Sequence, residues 1–392
     1  MAEKRQRNTT ASPTYVDWFL FTVTLSLIGI GYVMMVSSSL HLGVKLTGDS
    51  FYYPMRQLTH IIISFIVMSV VVFIPMKVWE KYGSVLFIFG LFLLVLVLVP
   101  GLGVKVNGSS RWLSLMGVRI QTSELMKFAS VIYVSGYVVR HQAVVETDFF
   151  GLLKPLLLFL LACVLLLLEP DFGSAVVLLT IAMSVMYLGG ARLWQFVILI
   201  TVISVLAKEL IYNSAYRLAR ITSFLDPWAD AQDTGFQLVQ ALIAFGRGEY
   251  FGVGLGSGIQ KIFYLPEAHT DFLFSVLAEE LGLTGVLSVI ILYTLLILRA
   301  FIIGIKAEQM KLRFSAFVAY GLGVWFAFQS FINMGVNMGM LPTKGLTLPF
   351  MSYGGGSIIV MCAAIGLLFR IHYEVMKQVS QQTKRNKKWD DE

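Results

Sequence analysis

With 392 residues, 57% of them hydrophobic and only 14% charged, the chain has a mean hydropathy of +0.77. Soluble domains average about 45–50% apolar and about 25% charged residues, and disordered chains are richer still in charge. The balance excludes an ordinary soluble globule and an unfolded chain, and it leaves a polytopic membrane protein. Thirteen percent aromatics and seven Trp suit a chain with two membrane interfaces to anchor. A net charge of +7 raises nucleic acid as a partner, but the charges fall in short blocks between apolar runs, so no nucleic acid is expected.

The first apolar run starts near Trp18; it is long for a signal-peptide core and no A-x-A site follows, so it reads as a retained span. Runs long enough to cross a bilayer follow in order, at 16–36, 58–75, 83–99, 123–139, 150–168, 173–189, 193–210, 272–300, 314–334 and 353–371. The expected fold is all-α: about ten transmembrane helices over 16–371, a short segment at 1–15 and a basic tail at 372–392. With the N-terminus inside, 18 of the 30 Lys and Arg fall in cytoplasmic segments and ten in outer ones, which places both termini in the cytoplasm. The Lys384–Lys388 tail then suits an anchor to anionic membrane lipid. Cys163 and Cys362 sit inside apolar runs and read as buried hydrophobes.

Two outer segments interrupt the pattern. Residues 100–122, with Lys105, Arg111, Trp112 and Arg119, suit an amphipathic piece lying at the interface. Residues 211–271 form one large loop, too rich in apolar and aromatic residues for disorder. Its glycines at 246–258 lack the strand–helix frame of a nucleotide fingerprint and read as places of close backbone approach. The loop ends in Leu265-Pro-Glu-Ala-His-Thr-Asp271. Asp271 stands where a helix begins, so it fits either an N-cap or an acid–base group tuned by Glu267 and His269. Glu124 and Lys127 share one face of the fourth run, as an ion pair or with the ammonium turned to an anion. The turn Glu169-Pro-Asp171 suits a helix cap. Pro342 and Pro349 forbid regular helix over 337–357, which makes that stretch a cavity wall carrying Lys344 or a structural re-entrant turn.

Asp226-Pro-Trp-Ala-Asp230, Leu265 through Asp271 and Thr343-Lys-Gly-Leu-Thr-Leu-Pro349 are together highly specific. On these motifs and the ten-run layout, the whole chain resembles the SEDS (shape, elongation, division, sporulation) proteins, which polymerise peptidoglycan from lipid II. The turn at Lys344 is similar to the division member rather than the elongation member. The resemblance implies that Asp271 is the catalytic aspartate and Lys127 a functional cavity lysine. Two departures stand out: Thr122 replaces the usual proline of Gln-Pro-Ser-Glu, and Phe263 stands where an acid is common.

The implied chemistry asks for a base at the outer surface, which Asp271 supplies, and for positive charge beside a leaving pyrophosphate. Lys127, Arg111, Arg217, Arg247 and Lys344 are the candidates for that charge, with Glu124 and His269 as neighbours. A divalent cation, Mg or Mn, is expected at most as a companion of the pyrophosphate, since no convincing ligand set is present. The implied partners are lipid II, an FtsI-like class B penicillin-binding transpeptidase and other division proteins of the FtsQ, FtsL and FtsB kind, at the septum of the bacterial inner membrane. A lipid II flippase, an elongation-type polymerase and a non-catalytic scaffold are the alternatives. Polar groups crowd the outer half of the chain, which favours a polymerase over a flippase.

The basic asymmetry makes a direct prediction. Tags at residue 2 and residue 392 should be cytoplasmic and one at residue 232 should react with an impermeant label from outside; protection at 232 would sink the layout.

Overall fold

The computed structural model describes residues 15–106, 109–115, 118–147, 149–212, 222–233, 235–262, 264–342 and 345–390. Every predicted apolar run is helical. In chain order the first helices are α1 (Trp18–Thr47), α2 (Tyr52–Phe73), α3 (Met76–Leu98), α4 (Thr122–Arg140) and the short α5 (Gln142–Thr147). Next come α6 (Phe149–Leu168), α7 (Phe172–Leu188) and α8 (Leu193–Tyr212). Then follow α9 (Phe236–Gly248), α10 (Leu273–Gln309), α11 (Arg313–Asn337) and α12 (Gly355–Asp390). Among the described residues, seven helices are long and apolar enough to cross a membrane: α1, α2, α3, most of α6, α10, α11 and Gly355–Lys384 of α12. The shorter α7 is apolar too, whereas α4 carries Glu124 and Lys127 and is buried along most of its length.

Carboxylates start two of these helices. Asp17 accepts from Leu20 N at 3.1 Å at the head of α1, and Asp171 accepts from Ser174 N at 3.3 Å at the head of α7. The turn at 169–171 therefore does cap the next helix.

Three features depart from the expected layout. The piece expected at the interface over 100–122 holds a three-stranded antiparallel sheet, with β1 (Gly103–Val106), β2 (Ser109–Leu115) and β3 (Val118–Gln121) in sequential order. The reason is visible in the β-branched residues Val104, Val106, Val118 and Ile120. The long outer loop contains α9, whose inner face buries Leu238, Val239, Ala241 and Ala244. Finally, α12 runs unbroken through Asp390, so the basic tail continues the last helix.

In the core, α12 lies along α2 and α10 lies along α11. Residues 338–342 and 345–354 leave the helical path, and the second stretch re-enters the bundle, burying Leu346, Leu348, Phe350 and Met351. Their polar backbone is satisfied from the helices around them: Tyr293 donates its hydroxyl to Pro349 O, and Gln329 donates to Thr347 O at 3.1 Å. Met351 lies directly against Gly31, near the middle of α1, where an added Cβ would collide with its backbone. Gly31→Leu should therefore overpack this contact and lower stability by about 1–3 kcal/mol. Gly29→Leu is the control, since nothing lies within 4 Å of that position. Equal melting temperatures for the two variants in detergent would refute the re-entrant packing.

Candidate functional site

Asp271 does not cap α10. The helix begins at Leu273 with Phe272 at the cap position, and no side chain of the preceding residues caps it. The cap comes from another helix. Asn337 on α11 accepts from Ser275 N at 3.1 Å and Ser275 Oγ at 2.7 Å, while its amide donates to Asp271 O at 2.9 Å. Asn333, one turn earlier, also donates to Asp271 O, at 3.0 Å, and to Leu346 O at 2.6 Å. The two asparagines thus fix the Asp271 backbone and leave its carboxylate uncommitted to the helix. Among the described residues it accepts no hydrogen bond.

The surroundings of that carboxylate come from four segments. Gly345 lies so close that a Cβ added there would be 2.9 Å from Asp271 Oδ2 and 3.8 Å from Arg111 Nη1. Arg111, on β2, is anchored by its other nitrogens to Glu169 O at 3.2 Å and Pro170 O at 2.6 Å. The small sheet thereby delivers a guanidinium to the site. Burial, then the negative charge of Glu267, pushes the Asp271 carboxyl up to about 7; Arg111 opposes this and Asp171 adds to it. Burial and Asp171 likewise push Glu169 up to about 9 against Arg111. His269 is packed among Tyr53 and Tyr353, with ring centroids 5.4 and 5.5 Å away, and burial lowers its pKa against the pull of Glu267. Its ring packs between these two tyrosines, two residues before Asp271.

The remaining predicted residues divide. Lys127 is fully buried, donating to Glu124 Oε1 at 2.7 Å and to Gln329 Oε1 at 2.7 Å, with its ammonium 5.6 Å from the Trp325 ring. The ion pair of Glu124 and Lys127 is therefore made, and through Gln329 it supports Thr347 of the re-entrant segment. Arg247 is turned away to Glu279, at 3.0 Å. Arg217 and Lys344 lie outside the described residues. Among the described residues, no three or more His, Cys, Asp or Glu are grouped to hold a metal. Asp171 and Glu267 add charge near Asp271 without completing a divalent-ion ligand set among the described residues.

Sequence reasoning passed over Gln329, Asn333 and Asn337 as site residues. Their signal is present: three amides four residues apart form a polar stripe on an otherwise apolar helix.

The sequence model of the FtsW, RodA and SpoVE family, described as a cell cycle protein, matches residues 17–377. The chain belongs to this family. It is 63% identical over 361 residues to the probable peptidoglycan glycosyltransferase FtsW of Methylomonas methanica, covering 92% of this chain and 93% of that one. It is 47% identical over 369 residues to the protein of the same name from Coxiella burnetii, covering 94% and 99%. Among solved structures, it resembles a chain from work on structural coordination of polymerization and crosslinking by a peptidoglycan synthase complex. That likeness has a TM-score of 0.74 at 27% identity over 92% of this chain and 98% of the other. The rod shape determining protein RodA of Thermus thermophilus matches with a TM-score of 0.66 at 25% identity, over 91% and 96%.

In this family member the raised carboxyl makes a stability prediction. A folded-state value of about 7 lies above the ordinary 3.8, so Asp271 progressively destabilises the fold as pH rises through that window. Asp271→Asn, which carries no charge, should melt close to wild type at pH 4.5 and above it at pH 8. A difference that is flat with pH would show that the carboxyl is not held near neutrality.

Proposed function

We propose that this chain is a peptidoglycan glycosyltransferase of the division, FtsW-like type, which polymerises lipid II at the outer face of the bacterial inner membrane, with both termini cytoplasmic. The observation that carries the site assignment is the Asp271 carboxyl: uncommitted, beside Arg111, and held near neutrality. Lipid II keeps its polyprenyl tail in the bilayer and its sugars outside, which matches a reactive group at the outer end of a spanning helix. The names of the relatives and the likeness to a peptidoglycan synthase complex support the same activity.

In the reaction, a sugar hydroxyl of one lipid-linked chain attacks the anomeric carbon of the other. Asp271 takes the hydroxyl proton as the new C–O bond forms, and the old bond's electron pair leaves with the pyrophosphate. Ionised Asp271 is required, so activity should rise with pH through about 7. Arg111 faces the developing charge with the nitrogen its anchors leave over. Lys344, next to Gly345, is the second cation we assign there, and Arg217 the third. Lys127 and Arg247 hold the framework, because their charges are matched by Glu124 and Glu279. Gly345 leaves room for the acceptor against Asp271. The partner is a class B penicillin-binding transpeptidase at the septum, the crosslinking counterpart of this polymerisation.

The test is lipid II turnover by the purified protein with its cognate transpeptidase. Asp271→Asn should lose about 10²–10⁴-fold in rate, while partner pull-down is retained. Near-normal turnover by this variant would remove Asp271 as the base and revive the flippase and scaffold readings.

A further inference from the structure

The helix that carries Asp271 is cut in two. At Gly282 the backbone adopts φ 65° and ψ −161° inside α10, a region essentially restricted to glycine. The break lies nine residues, about 14 Å, below the start of the helix. One segment meets four of the backbone groups on either side of it. Val253 N and Gly254 N donate to Glu279 O and Glu280 O at 3.0 and 3.1 Å; Leu283 N and Thr284 N donate to Glu249 O and Tyr250 O at 3.0 and 3.1 Å. Gly248, Gly252 and Gly282 make this approach possible, since a Cβ on any of them would collide with opposing backbone.

Two buried carboxylates then lock the segment in place. Glu279 accepts from Ile259 N at 3.0 Å, from Gln260 N at 3.1 Å and from Arg247 at 3.0 Å. Glu280 accepts from Gly256 N at 3.0 Å, from Lys261 Nζ at 2.5 Å and from Ser37 Oγ on α1 at 2.8 Å. Lys261 closes the cluster by donating to Ser37 Oγ at 2.7 Å and Gly256 O at 2.9 Å. Neither carboxylate touches the reaction site, and a continuous helix would need neither. Buried ion pairs rarely stabilise a fold more than an apolar core of the same shape would, and their best-attested use is to fix one arrangement.

We propose that Glu280, Lys261 and Ser37 form a latch that positions Asp271, by holding the outer half-helix 273–281 at a fixed angle to the rest of α10 about the Gly282 hinge. The half-helix is gripped at its top by Asn333 and Asn337 and at its bottom by the latch. It is thus a rigid lever with the base at one end and the latch at the other. Opening the latch tilts the lever and moves the carboxylate relative to Arg111 and Gly345. These are positioning residues, and their link to rate rests on the polymerase reading above.

The experiment uses the full chain with its transpeptidase partner. Lys261→Met and Glu280→Gln singly each strand buried polarity and should melt early; the double variant removes both charges and should regain melting temperature. The double variant should nonetheless turn over lipid II at least 10-fold more slowly than wild type, with KM within about twofold. Ser37→Ala, which keeps the ion pair and a safe fold, should lose about threefold and decides the matter if the double variant fails to fold.

A second readout needs no activity. The melting difference between each variant and its Asp271→Asn counterpart, followed against pH, reports the ionisation of Asp271 directly. Its midpoint should move by at least half a pH unit in the latch variants. Wild-type kcat and an unmoved midpoint in the double variant, or in Ser37→Ala should the double not fold, would overturn the latch. An inert wild type would instead sink the polymerase reading, while the midpoint still tests the latch.

Discussion

Backbone that leaves a helix at membrane depth meets no water, so each freed N–H and C=O must find a partner inside the protein. The outer half of this bundle is arranged around that requirement. Among the described residues, helix is interrupted at Gly282 inside α10 and again over 338–342 and 345–354. The first is filled by the glycine-rich segment 249–254, and the second by side chains of α10 and α11 reaching the carbonyls of Leu346, Thr347 and Pro349. Tyr353 N then donates to His269 O at 3.0 Å, tying the two irregular stretches together two residues from Asp271. Irregular backbone, in this protein, is what brings a spanning helix and an outer loop to one point.

Buried charge does similar work. Lys127 with Glu124 joins α4, through Gln329, to the re-entrant segment; Lys261 with Glu280 joins the outer loop to α1 and α10. On the opposite side of the bundle, Arg299 donates to Asp17 at 2.7 Å, binding α10 to the head of α1. Each pair connects segments far apart in the chain. An unpaired member would leave a charge in low dielectric, an outcome typically worth about 3–5 kcal/mol. The pairs therefore make wrong arrangements expensive more than they make the right one cheap.

The helices were legible because hydropathy over about 20 residues is a strong signal and the bilayer leaves few alternatives. The β-sheet was less so: its strands are four, seven and four residues long, and a length that short barely separates a period of two from an amphipathic turn. Asp271 and the stretch 337–357 stand out in sequence through the company they keep. What stayed hidden was long-range: Asn337 reaching 62 residues back to Ser275, Lys261 reaching 224 residues back to Ser37. Local pattern cannot encode such pairs, and the break at Gly282 is invisible for the same reason, since glycine is also an ordinary occupant of membrane helices. Glu279 and Glu280 are acids inside a spanning run, and their partners lie in a loop that packs back upon them.

The displacement of Asp271 from the cap position has a chemical logic. A carboxylate that caps a helix receives N–H donors and the positive end of the dipole, and both favour the ionised form. Such a group sits low in pKa and is a poor proton acceptor. A general base at neutral pH needs the opposite, an environment that keeps proton affinity near 7. The two demands have contrary signs, so one residue cannot meet both. Here the neutral amide of Asn337 takes the structural task, and it does so from α11, on the far side of the backbone it holds. Asp271 is left with burial and the charges of Glu267 and Asp171 on one side and Arg111 on the other. That combination pushes the carboxyl up to about 7, and it links the amide stripe on α11 to the acid at the head of α10.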